Sequence, residues 1–171
     1  GRRCSVERLQ ADGHGALASA TALLAAGELV ILAIDGGFAL AADALNVDAV
    51  ERLFLVTERS ADNPLPVVLG GFEDIQHVAF PTPLARALAD AFWPGPLTLI
   101  LRARPLISGA VKGGGDLLGV PVPTDAFVRH LATRPRPPPV AHSPAPTRPP
   151  TAPRLLAAAA PPARPPTPPP P

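Results

Sequence analysis

Hydrophobic and polar positions along this 171-residue chain alternate between helical and extended periods. In HGALASATALLAA (residues 14–26), Leu17, Ala20, Leu23 and Leu24 share one helical face and Gly27 follows, so a helix is predicted there. ELVILAI is a continuous apolar run that predicts a buried strand, broken at Asp35-Gly36-Gly37. Asn46 is a good N-cap for a second helix, VDAVERLFLV, with Val47, Val50, Leu53 and Phe54 on its apolar face. LPVVL predicts a short strand, followed by a weak helix around Ile75–Val78. Thr82 caps a further helix with Pro83 at its first position, where proline is favoured. That helix runs through LARALADAFW, and Leu97–Leu101 predicts the next strand. LLGVPV predicts one more, although Pro121 has no N–H to give a ladder. Thr124 opens a last helix that runs to about Leu131. Strands alternating with helices predict an α/β domain, and no internal repeat interrupts them.

From Arg134 the pattern stops. Seventeen of the 26 prolines lie from Pro135 onward, so residues 134–171 are expected to form a disordered or partly polyproline II tail beside a domain over 14–133. Charge divides at nearly the same place. Residues 1–125 hold nine Lys/Arg and all 14 Asp/Glu, a net of −5, and the rest holds six Arg and no acid, a net of +6. The overall +1 therefore hides an acidic domain and a basic tail. The single cysteine, Cys4, excludes an internal disulfide framework and fits a reducing cytoplasm. No apolar run approaches a membrane span, and the N-terminus has no continuous hydrophobic signal region. A chain that starts at Gly1 and has no methionine is expected to be trimmed or a fragment.

One junction stands out. AFWPGPLTLIL (Ala91–Leu101) carries the only tryptophan and turns from helix to strand through Pro-Gly-Pro. Proline fixes φ and glycine admits backbone positions closed to other residues, so this turn sets the entry angle of the strand. Phe92 and Trp93 are expected to hold it against the core.

The succession LLAAGELVILAID, FALAADALNVDAVERLF, NPLPVVL, AFWPGPLTLIL, LGVPVP and VRHL resembles the YrdC/Sua5 family over roughly Ala16 to Leu131. The resemblance implies a YrdC-like single domain, a twisted sheet with flanking helices and a concave cleft. It implies the activity of a threonylcarbamoyl-AMP synthase, a nucleotidyltransferase. L-threonine, bicarbonate and ATP would give threonylcarbamoyl-AMP and pyrophosphate for the t6A modification of tRNA, with Mg²⁺ as cofactor. Such a site must neutralise a carbamate, a carboxylate and a triphosphate, which calls for fixed Lys and Arg side chains and orienting hydroxyls.

The family supplies these through a P-T-D-T-V-Y-G-L segment, a K-x-R pair, an arginine inside V-R-V-P, and an S-A-N segment. Here the first is Ala33 to Leu40, keeping Asp35 and, in Phe38, the ring without its hydroxyl. The second is Thr57-Glu58-Arg59, which keeps only the arginine. In the third, Pro121 stands where the arginine belongs, and in the last only Ser143 matches. By resemblance, the candidate residues are Arg59 and Asp35 for catalysis. Phe38, Thr57, Asn63, Thr98 and Ser143 are the candidates for substrate and nucleotide binding. Threonine replaces neither the charge nor the reach of lysine, and proline is no substitute for a guanidinium. The resemblance therefore implies a synthase fold with an impaired site.

Each candidate has a plainer reading. Asp35 would cap the Gly-Gly turn, and Arg59 would pair with Glu58 or Asp62. KGGGD (112–116), which contains the only lysine, has a phosphate-cradle composition without the Walker spacing and reads as a flexible loop. His14, His77, His130 and His142 lack metal-ligand spacing. The tail arginines would serve either RNA phosphates or a solvated linker. Two alternatives to an impaired synthase follow: a non-catalytic nucleotide- or RNA-binding module, and a truncated or disrupted gene product.

Overall fold

The computed structural model describes residues 6–10, 15–34, 37–133, 140–144 and 155–159, the first and the last two of these segments as backbone only. Eight strands and six helices follow in the order β1 (Val6–Gln10), α1 (Ala16–Ala25), β2 (Leu29–Ile34), β3 (Gly37–Asp43), α2 (Val47–Thr57), β4 (Val67–Val68), α3 (Ile75–Val78), α4 (Pro83–Phe92), β5 (Thr98–Arg102), α5 (Gly109–Lys112), β6 (Leu117–Pro121), α6 (Ala126–Thr133), β7 (Val140–Pro144) and β8 (Leu155–Ala159) among the described residues. They build a six-stranded sheet in the order β1-β8-β2-β3-β7-β4, and β5 pairs with β6 as a separate antiparallel pair. β8 runs parallel to both β1 and β2, while β2-β3, β3-β7 and β4-β7 are antiparallel.

Burial on both faces explains why β2 and β3 read as nearly continuous apolar runs. Leu40 and Ala42 of β3 enter one core with Val50 and Leu53 of α2, and that core continues through Leu99, Leu101, Leu118 and Val120. Ala41 turns the other way and joins Val30, Leu32, Ala20 and Leu24 of α1, and Val128 and Leu131 of α6. The period-2 alternation of the strands thus sorts neighbouring residues into two cores.

The helix starts follow their caps. The Asn46 side chain accepts from Ala49 N at 3.1 Å, and Thr82 Oγ1 accepts from Ala85 N at 3.1 Å ahead of Pro83. At α6 the cap is Asp125 rather than Thr124: its Oδ1 accepts from Val128 N at 3.0 Å. A carboxylate is also the better partner for the positive end of the helix dipole.

Three further expectations are corrected. First, GFALAAD forms β3, although its sequence suggests no element there. Second, β7 and β8 lie inside the segment expected to lack regular structure, and both insert between other strands of the main sheet. Proline limits neither, because Pro144 is the last residue of β7 and LLAAA contains none. Third, the Pro-Gly-Pro junction uses its residues differently. Trp93 packs on the core and its Nε1 donates to Leu97 O at 2.7 Å, but Phe92 is 57% exposed. The Trp93–Pro94 bond is cis, and Gly95 is not among the residues with positive φ. Glycine is needed there for space: a Cβ at Gly95 would lie 2.6 Å from Phe92 O. Gly95 N donates to Val122 O at 3.0 Å, which ties the turn to the end of β6.

Candidate functional site

Three groups of candidate residues emerge. The first is the loop after α2. Glu58 closes the helix with φ 51°, and the chain then turns back on itself through Asn63. Arg59 holds this turn together. Its Nε donates to Asn63 O at 3.2 Å, and its Nη2 donates to Asn63 Oδ1 at 3.1 Å and Pro64 O at 2.7 Å. The structure thus joins two candidates, Arg59 and Asn63, in one clamp. Thr57 sits on the same turn, but its Oγ1 donates back to Leu53 O at 2.7 Å, as helix-terminal threonines do. Asp62, expected as an ion-pair partner for Arg59, takes a hydrogen bond from Ser60, and that bond holds its carboxyl below the usual carboxylate range.

Behind this turn packs the loop after α5, which sequence reasoning did not connect to it. Gly113 adopts φ 60°, and a Cβ there would lie 2.6 Å from Asp62 O and 3.0 Å from Pro64 N. Leu65 N donates to Val111 O at 2.9 Å alongside. Glycine at position 113 of KGGGD is therefore required by close backbone approach as well as by φ. The run was visible in the sequence; its partner, some fifty residues upstream, was not.

The second group is the β5–β6 pair. Thr98 stands opposite Pro121 in the register, with its side chain exposed on the face away from Leu99 and Leu101. The position where the resemblance expects an arginine is thus directly across from Thr98, and a pyrrolidine ring occupies it. The third group lies on the main sheet, where Phe38 is 57% exposed on β3 and Ser143 stands opposite Leu40 on β7. Asp35 lies outside the described residues. No three His, Cys, Asp or Glu side chains converge among the described residues to hold a metal ion, so no step is assigned to Mg²⁺. No described helix is long and apolar enough to cross a membrane.

Comparison with known proteins decides the ancestry. The Sua5/YciO/YrdC family model, described as telomere recombination, matches residues 22–157. The chain belongs to the Sua5/YciO/YrdC family. Among its relatives, the threonylcarbamoyl-AMP synthase of Pyrococcus abyssi is 37% identical over 106 residues, 61% of this chain and 31% of that protein. The Bos taurus threonylcarbamoyl-AMP synthase is 32% identical over 120 residues, 68% of this chain and 42% of that protein. The chain thus spans about a third to under half the length of these curated relatives. The crystal structure of P. abyssi Sua5 complexed with L-threonine superposes with a TM-score of 0.72 at 30% identity, covering 81% of this chain and 41% of that one. Escherichia coli YciO superposes at 0.74 with 14% identity, over 91% of this chain and 84% of its own, and supports the fold alone. The Sua5/YciO/YrdC match also covers β7 and ends within β8, at residue 157.

Proposed function

We propose that this chain is a threonylcarbamoyl-AMP synthase domain whose catalysis is impaired. In the reaction, the threonine nitrogen forms a bond to the bicarbonate carbon as a C–O bond breaks, and the departing hydroxyl takes an amine proton and leaves as water. An oxygen of the resulting carbamate then forms a bond to the α-phosphorus of ATP as the bond to the β-phosphate breaks, releasing pyrophosphate. Relatives with the synthase name and a structural neighbour solved with L-threonine support this reading. Charge accumulates on the pentacoordinate phosphorus and the departing pyrophosphate, so rate depends on cations already in place.

The observation that carries the impaired reading is the turn after α2. Arg59 is present and fixed by Asn63 and Pro64, so one guanidinium is held in a defined position. Thr57, at the lysine position, spends its hydroxyl on its own helix, and Pro121 brings no charge opposite Thr98. Arg59 would meet a phosphate or carboxylate. Asn63 would hold Arg59 in place, and Thr98, Phe38 and Ser143 would border the substrate. Losing a single preorganised charge contact costs roughly 10²–10³ in rate, and two cations are replaced together here.

Arg59 also favours a second reading, a module that binds nucleotide without turning it over. Calorimetry on the full chain with ATP, with and without L-threonine and bicarbonate, tests both. Saturable ATP binding that weakens in Arg59→Ala is expected. A chain that does not bind ATP at all refutes both readings.

A further inference from the structure

None of Phe38, Thr57, Arg59, Asn63 and Thr98 lines a concavity on another part of the described surface. It encloses about 340 Å³ between the loop after β4, the C-terminal end of α4, the Trp93–Pro94 turn, Val122 and α6, and Arg129 and Asp90 both line it. That volume suits a small organic molecule. Its apolar walls are Phe72, Trp93, Pro94 and Val122. The Trp93 N–H is already engaged by Leu97 O, so Trp93 offers the pocket its ring rather than a donor.

The two charged lining residues are not equivalent. Asp90 Oδ2 is 3.6 Å from Arg86 Nε, in an exposed contact that Arg86 shares with Glu73 at 2.7 Å, so Asp90 is turned to Arg86 rather than paired with Arg129. Arg129 Nη1 donates to Pro123 O at 2.9 Å and also to Thr124 O, which fixes the guanidinium at the end of β6. Backbone carbonyls position that cation but do not neutralise it, and no described carboxylate forms an ion pair with Arg129. A fixed, uncompensated guanidinium with two aromatic walls is the arrangement that recognises a carboxylate on an apolar or aromatic body.

The geometry points to this pocket as a binding site for a small aromatic or apolar carboxylate, separate from the proposed synthase site. Arg129 takes the carboxylate, and Trp93, Phe72 and Val122 take the body. Trp93 is the only tryptophan in the chain, so its emission reports directly on occupancy. The test titrates the full chain with phenylacetate and with its neutral isostere phenylacetamide, followed by Trp93 fluorescence. A saturable change with phenylacetate is expected, with affinity for phenylacetamide at least about tenfold weaker, as for loss of a charge-assisted hydrogen bond. Arg129→Gln should weaken phenylacetate by a similar factor and leave the amide unchanged. Arg129 also ties down two carbonyls, so if that variant fails to fold, the acid–amide comparison on the unaltered chain decides alone. Equal affinity for acid and amide, or no saturable response to phenylacetate, overturns the assignment.

Discussion

Replacing Gly95 by alanine probes the helix-to-strand junction at its tightest point. The new methyl would sit 2.6 Å from Phe92 O, several tenths of an ångström inside any ordinary carbon–oxygen contact. Phe92 O cannot yield as a flexible side chain would, because it belongs to the last turn of α4. The glycine cannot yield either: its N–H is bonded to Val122 O at 3.0 Å, and its carbonyl accepts from Leu97 N at 2.8 Å. Relief must come from stretching one of these bonds or unwinding the helix end, which for an overpacked site costs about 1–3 kcal/mol. With a urea m-value of roughly 2 kcal/mol/M, the unfolding midpoint should fall by about 0.5–1.5 M. Trp93, two residues away, supplies the fluorescence signal. Gly109→Ala is the control, since a Cβ there meets nothing within 4 Å and the residue starts α5, so its midpoint should hold or rise slightly. A Gly95→Ala midpoint equal to that of the unchanged chain would refute the close-approach argument.

Trp93→Phe removes the donor to Leu97 O and should cost about 1 kcal/mol, whereas Trp93→Ala should cost about 3 kcal/mol, the low end for a half-buried aromatic. Both are measured by far-ultraviolet circular dichroism melts, and wild-type melting in both would show the indole to be idle. Asp43 gives a pH test. Burial pushes its carboxyl above the ordinary range, against the opposing bond from Leu45 N at 2.8 Å. The folded state therefore holds this proton more tightly than the unfolded one. The associated stability is present below the unfolded value and is lost as pH rises through the folded one. Asp43→Asn should accordingly stabilise the chain at neutral pH, with a gain that shrinks in acid; a gain that grows on acidification would reverse the argument. Asn63→Ala removes one Arg59 partner and should weaken ATP binding by less than Arg59→Ala, as read by calorimetry.

Local signals were the legible ones. Asn46 and Thr82 cap their helices because a side-chain oxygen three residues before an N–H needs nothing from elsewhere. Spacing likewise placed Ala20 and Leu24 of α1 and Val50 and Leu53 of α2 in the core, but Val47, expected on the same face of α2, is 47% exposed because it stands at the first position of the helix. β3 was not legible: Gly, Ala and Asp have little preference for strands, and GFALAAD is extended because β2 and β7 flank it and both its faces are buried. β7 and β8 were hidden by the prolines around them, since composition describes the segment and pairing is decided by distant partners. In the site, the Arg59–Asn63 clamp spans four residues and lies within reach of sequence reasoning. The Thr98–Pro121 pairing and the contact of Gly113 with Asp62 are long-range and were not.

The central claim is a preserved fold with a weakened site, and product formation tests it most directly. The full chain is incubated with L-threonine, bicarbonate and ATP, and threonylcarbamoyl-AMP is quantified beside the combined variant Ile34→Thr, Gly36→Thr, Thr57→Lys and Pro121→Arg. Little product above background is expected from the unchanged chain and clearly more from the variant. Single replacements should do little, because residues acting as one unit are strongly non-additive. Robust turnover by the unchanged chain would contradict the account and leave an ordinary synthase.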